Sequence, residues 1–189
     1  PDQVFERVAN VVSGGCPDPE KREEYKDKFF RIMSDGYFRP NTPCLMNCEV
    51  QESPQTAACF VGKQEDDLKS ILDFDREAAL VFASGSGIGI NYGQLRETDA
   101  PLSSGGRSSG PFAFMRKLSS TGEAVKSGGR SRRAAIMSMM FDHHPDILDF
   151  ITIKNGSDQS LRSMNLSIAI SDKLMNAVAK DSVWRLVGV

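Results

Sequence analysis

Residues 56–91 read TAACFVGKQEDDLKSILDFDREAALVFASGSGIGIN. Thr56 to Val61, with Phe60 and Val61 beside Cys59, predicts a short buried strand that ends at Gly62. Asp66 or Asp67 then caps a helix in which Leu68, Ile71, Leu72, Phe74, Ala78, Val81 and Phe82 are apolar. Ser84 to Asn91 is a glycine-rich turn entering a strand with too few side chains to stabilise itself, so something is expected to approach its backbone. Gly85-Ser86-Gly87-Ile88-Gly89 partly matches a dinucleotide fingerprint, but it leaves a helix and enters a strand. That is the reverse of the order the fingerprint needs, and a Rossmann reading is rejected.

Alternation of strand and helix continues downstream. Pro111 opens a helix through Phe112, Phe114, Met115 and Leu118; residues 134–141 predict a buried strand with Met137, Met139 and Met140 as core filling. A short helix over 145–153, a strand over 165–170, a helix capped by Ser171 and a strand around 184–187 complete the series. Upstream, Val4, Phe5, Val8, Ala9, Val11 and Val12 recur at helical spacing up to Gly14-Gly15. Asp18 and Pro19 then start a second helix, with Tyr25, Phe29, Ile32 and Met33 on one face and Gly36 as its stop. Residues 39–43 hold two prolines and are expected to form a fixed non-helical loop, which argues against Cys44 and Cys48 sharing a helical face. The expected class is α/β, a layer or barrel, with a helical region over 1–39 and the α/β part over 40–189.

The 189 residues suffice for one domain with a short extension, and 40% hydrophobic against 25% charged residues excludes a disordered or fibrous chain. No apolar run approaches bilayer length, so a membrane protein is not expected and the cytoplasm is the expected location. A net charge of −2 argues against general nucleic-acid binding. The charge is unevenly spread: residues 105–135 carry seven bases against Glu123, which is +6, leaving −8 for the remainder. The four cysteines form no CxxC pair and have no nearby histidine, which points to a reduced compartment and no metal site.

Three glycine- and serine-rich loops, around 84–91, 103–110 and 126–133, suit backbone contacts to phosphate. Each loop alone reads as an ordinary turn sooner than as a phosphate site, and Arg130, Arg132 and Arg133 read also as a solvated loop; their coincidence with the basic bias favours phosphate. Cys59, in an apolar stretch, reads by itself as a buried structural thiol. His143-His144 lacks a third ligand at suitable spacing and reads as turn and capping residues.

Taken in order, Pro40-Asn41-Thr42-Pro43-Cys44-Leu45-Met46-Asn47, Ala58-Cys59-Phe60-Val61, Gly87-Ile88-Gly89-Ile90-Asn91, Leu95-Arg96, Ser109-Gly110-Pro111 and Gly128-Gly129-Arg130 resemble the large catalytic subunit of ribonucleotide reductases. The start Val4-Phe5-x-x-Val8-Ala9 and the run Phe141-Asp142-His143-His144-Pro145-Asp146 resemble the class II, adenosylcobalamin-dependent branch. The resemblance implies the first part of a ten-stranded α/β barrel behind a short helical region, and reduction of ribonucleotides to deoxyribonucleotides by a thiyl radical. It implies that Thr42, Ala58, Cys59, Ser86 and Gly87 line the substrate pocket, with Cys59 as one of two reducing thiols restored by an external dithiol. It also implies a deoxynucleotide effector site at Asp66, Arg96, Lys126, Arg130 and Arg132, and a homodimer built on the helices after Asp66 and Pro111.

The chain departs from the family at Ala57-Ala58, where a hydroxyl residue is common, and at Ser127 and Ser131, where class II relatives often carry Gln and a basic residue. The radical-bearing cysteine and the second redox cysteine are expected beyond residue 189, so this chain is expected to need a complementary C-terminal half. The competing expectations are a non-catalytic deoxynucleotide-binding or dimerisation module, and a portion of a class I large subunit.

Overall fold

The computed structural model describes residues 1–50, 52–125, 134–155 and 160–188. Two compact units divide the chain, Pro1–Ala58 and Cys59–Val189. Residues 40–58, grouped above with the α/β part, fall in the first unit because the helix they form packs on α1.

That first unit contains α1 (Asp2–Gly14), α2 (Pro19–Ser34) and α3 (Thr42–Asn47). Asp18 caps α2 by accepting from the Glu20 N–H, with Pro19 in the first turn, and Gly36 at φ +81° takes the chain out of it. Asn41 caps α3 by accepting from the Cys44 N–H. The expected non-helical loop is thus corrected at its end: Thr42 and Pro43 form a first helical turn, the one place where a missing proline N–H costs nothing. Phe5, Val8 and Ala9 of α1, Met33 of α2, and Cys44 with Cys48 form the core.

In the second unit the order is β1 (Cys59–Val61), α4 (Leu68–Ala83), β2 (Gly87–Asn91), a 3-10 turn (Tyr92–Gln94), α5 (Gly110–Ala124), β3 (Ile136–Phe141), α6 (Ile147–Thr152), β4 (Met164–Ala169) and α7 (Asp172–Ala179). The four strands lie in chain order and every neighbouring pair is parallel. Parallel neighbours joined through helices are the pattern of an α/β barrel wall. Residues 184–187, expected as a strand, are irregular; the Trp184 indole donates to the Asp142 carbonyl and the Val187 N–H to the His143 carbonyl.

Side chains alternate across a strand. Ile88 and Ile90 of β2 and Ile136, Ser138 and Met140 of β3 are buried on one face, under Phe74, Ala78 and Phe82 of α4 and Met115 and Leu118 of α5. The other face carries Cys59, Gly87, Gly89, Met137, Asn165 and Ser167 in register. Met137 is 45% exposed there, which corrects its reading as core filling; only Met140 of the three methionines is fully buried.

Candidate functional site

The register of β1 on β2 places Cys59 opposite Gly87 and Val61 opposite Gly89. Cys59 is an exposed free thiol and Val61 is 93% exposed, so β1 is an exposed edge strand and Cys59 is not the buried structural thiol its apolar neighbours suggest. An added Cβ at Gly87 would lie 2.9 Å from the Ala135 carbonyl oxygen, so close packing against the segment entering β3 requires glycine there. At Gly89 a Cβ would meet nothing nearer than 3.8 Å. The approach expected at this strand therefore comes from the protein itself at Gly87, whereas at Gly89 an added Cβ would make only ordinary van der Waals contact. Of the five substrate-pocket residues expected from sequence, Cys59, Ser86 and Gly87 are brought together; Ser86 is buried directly before the strand. Thr42 opens α3 and Ala58 immediately precedes Cys59, both in the first unit.

At the opposite ends of the same strands, Asp66 follows β1 and Arg96 follows β2. Arg96 donates from Nε to Asp66 Oδ2 at 2.6 Å, while its backbone N–H donates to Oδ1 at 3.1 Å. One carboxylate thus fixes both the arginine side chain and its main chain, a charge-assisted two-point contact. Asp67, rather than Asp66, caps α4 by accepting from the Ser70 N–H. Sequence placed Asp66 and Arg96 at one site; the direct ion pair between them is visible only once the strands are parallel.

The turn after β3 braces the Arg96 segment on both sides. His144 is buried, with Nε2 2.9 Å from the Leu95 carbonyl and Nδ1 accepting from the Asp146 N–H. Asp146 Oδ2 accepts from both the N–H and the hydroxyl of Thr98. Sequence reading assigned the histidines a turn role but gave no sign that Asp146 reaches Thr98, because that contact spans 48 residues. Beside Asp66 lies a cavity of about 450 Å3, lined also by Glu65, Gln94, His143, His144 and Gly188. Burial opposes ionisation of Asp142, but the N–H and hydroxyl of Ser171 and the His143 imidazole outweigh it, and the carboxyl is held below its ordinary 3.8. His143 Nδ1 lies 3.2 Å from Asp142 Oδ1.

Residues 101–107 close as a small loop, with Pro101 bridging Arg107 and Gly105 and Gly106 at positive φ. The N-terminus of α5 behind it is filled by protein: the Gly110 N–H donates to Ser108 Oγ, and a Cβ at Gly110 would fall 2.1 Å from Thr98 Oγ1. Lys126, Arg130 and Arg132 lie outside the described residues.

A family model for the ribonucleotide reductase all-alpha domain matches residues 1–53, and one for the barrel domain matches residues 57–188. The chain belongs to the ribonucleotide reductase large-subunit family. It is 36% identical to a vitamin B12-dependent ribonucleotide reductase of Streptomyces coelicolor, over 86% of this chain and 17% of that protein. It is also 36% identical to a vitamin B12-dependent ribonucleoside-diphosphate reductase of Mycobacterium tuberculosis, over 98% of this chain and 27% of that protein. A ribonucleoside-diphosphate reductase large subunit of Trypanosoma brucei brucei is 31% identical over 99% of this chain and 22% of its own length. The chain thus spans about a quarter or less of the curated relatives it matches.

In this reductase-family chain, no cluster of three or more His, Cys, Asp or Glu able to hold a metal ion occurs among the described residues, and no helix there is long and apolar enough to cross a membrane. The cavity beside Asp66 is not lined as a seat for adenosylcobalamin. The cavity has small-molecule size and two carboxylates in its wall, and both ring nitrogens of His144 are engaged within the protein.

Proposed function

We propose that this chain is the N-terminal portion of a ribonucleotide reductase that reduces ribonucleotides for DNA synthesis, and that it acts together with the remaining barrel. The observation that carries this reading is the register pairing of an exposed thiol, Cys59, with Gly87 of the glycine strand β2. In the reaction the 2′ C–O bond of the ribose is replaced by C–H and the oxygen leaves as water. Cys59 and a second thiol supply the two electrons by becoming a disulfide, which an external dithiol restores. Thr42, Ala58, Ser86 and Gly87 border the substrate in this reading.

The Asp66–Arg96 pair and its cavity form the effector site, with Arg96 on the phosphates and Asp66 on the ribose, completed by Lys126, Arg130 and Arg132. The helices α4 and α5 supply the homodimer contact. Leu68, Leu72 and Leu80 of α4 are exposed, as a helix facing a partner requires. The vitamin B12 dependence of the relatives supports class II, in which adenosylcobalamin generates the radical; no step of that kind is assigned to these residues. The Trypanosoma relative supports a second reading, a class I large subunit that takes its radical from a separate protein.

The test combines this chain with one supplying the rest of the barrel, adenosylcobalamin, a ribonucleotide and a dithiol. Deoxynucleotide is expected, and Cys59→Ser abolishes it. Turnover that needs a radical-generating protein in place of cobalamin selects class I. No product from either assembly, despite demonstrated association, leaves the non-catalytic effector module.

A further inference from the structure

A second dithiol lies in the first unit and has no part in the chemistry above. Cys44 is in the first turn of α3 and Cys48 is its C-cap, and their Sγ atoms are 3.7 Å apart. Their sharing of one helical face, against the sequence expectation, follows from Pro43 being accommodated in the first turn. Cys44 is 8% exposed and Cys48 fully buried, among Phe5, Val8, Ala9 and Met33. The Arg7 guanidinium donates to the carbonyls of Leu45 and Cys48, each at 3.3 Å, tying the end of α3 to α1.

Residues four apart in an ideal helix have Cα atoms about 6.2 Å apart, inside the roughly 4.4–6.8 Å range that a disulfide bridges. Their Cβ atoms stand about 5–6 Å apart, against roughly 3.5–4.5 Å in a disulfide. Closure therefore needs a shift on the order of 1 Å. Cys48 is placed to give it: at φ −54° and ψ 128° it has already left the helix, bonded to α3 through its N–H to the Cys44 carbonyl while its own carbonyl accepts from Arg7. A bridge formed under that constraint is readily reduced, the property of a reversible site rather than a structural staple.

We propose that Cys44 and Cys48 form a reversible disulfide independent of Cys59, made by hydrogen peroxide and opened by a dithiol. Cys44, the more exposed thiol, attacks the peroxide O–O bond and becomes a sulfenic acid, releasing one water. Cys48 Sγ then displaces the hydroxyl, forming the S–S bond and releasing a second water, so two thiols are oxidised as one peroxide is reduced. Burial, and then the neighbouring Cys44, push the Cys48 thiol up to about 11. The closing step consequently accelerates by about tenfold per pH unit across the mildly alkaline range, as the thiolate fraction grows.

The experiment uses the chain with Cys16→Ser and Cys59→Ser, oxidised by peroxide, alkylated and digested with trypsin. Because Arg39 precedes Pro40, both thiols fall in the peptide of residues 32–63. The expected product is a monomer whose peptide is lighter by two hydrogens and unalkylated, regains both alkylation sites after dithiothreitol, and forms faster as pH rises. In Cys48→Ser of the same background, Cys44 is trapped as a dimedone adduct. Should the double background not fold, the parent chain with Cys59 alkylated beforehand gives the same reading by fragmentation between residues 44 and 48. Two alkylatable thiols after a dose that fully oxidises Cys59 in the parent, or sulfinic acid at Cys44 beside a free Cys48, overturns the proposal.

Discussion

The two faces of the parallel sheet divide the work. Under α4 and α5, Ile88, Ile90, Ile136 and Met140 are packed away from water and carry the stability. Across the same strands, Cys59, Gly89, Met137, Asn165 and Ser167 contribute little to packing and leave a thiol in reach of a ligand. Parallel strands ordinarily need cover on both faces; in the proposed reading, substrate and the remaining barrel supply it on this one.

The sharpest way to break this contrast is paired truncation. Ile136→Ala, at a site with no exposed surface, is expected to lower unfolding free energy by about 2–5 kcal/mol. Met137→Ala, one residue on but across the sheet, is expected to stay within about 0.5 kcal/mol. Urea denaturation compares them, and equal losses would erase the distinction between faces. A smaller effect is expected at the strand ends: Arg96→Ala should weaken deoxynucleoside triphosphate binding by about tenfold to a hundredfold in calorimetry. Unchanged affinity removes Arg96 from the phosphate site.

Within the bare face, Gly87→Ala should cost about 1–3 kcal/mol because its Cβ meets Ala135, while Gly89→Ala should cost less than about 1 kcal/mol. The smallest effect concerns pH. Asp142 sits below its ordinary 3.8 in the folded chain, so its ionised form favours folding. That contribution is complete above about pH 4 and is lost as pH falls through the folded value. Asp142→Asn should therefore flatten the loss of stability in this acid window, as read from urea midpoints at several pH values.

Local chemistry made much of the second unit legible. Asp67 and Ser171 cap the helices expected of them, and of the apolar positions expected in α4, Ile71, Phe74, Ala78 and Phe82 are buried while Leu68 and Leu72 are exposed. What eluded sequence were properties set by partners. A three-residue apolar run such as Cys59–Val61 has too little periodicity to distinguish an exposed edge from a buried strand. The Cys44–Cys48 contact was hidden because Pro43 reads as a helix breaker unless the start of α3 is known to lie just before it. Asp66 and Arg96 shared a site by family likeness, but nothing local showed that one holds the other across 30 residues.

The most direct test of the account is native-state alkylation of all four cysteines followed by peptide mapping. Cys59 is expected to be modified at nearly the rate of a free thiol, Cys44 more slowly, and Cys48 only once the chain unfolds. A protected Cys59 would contradict the open face on which the proposed chemistry depends.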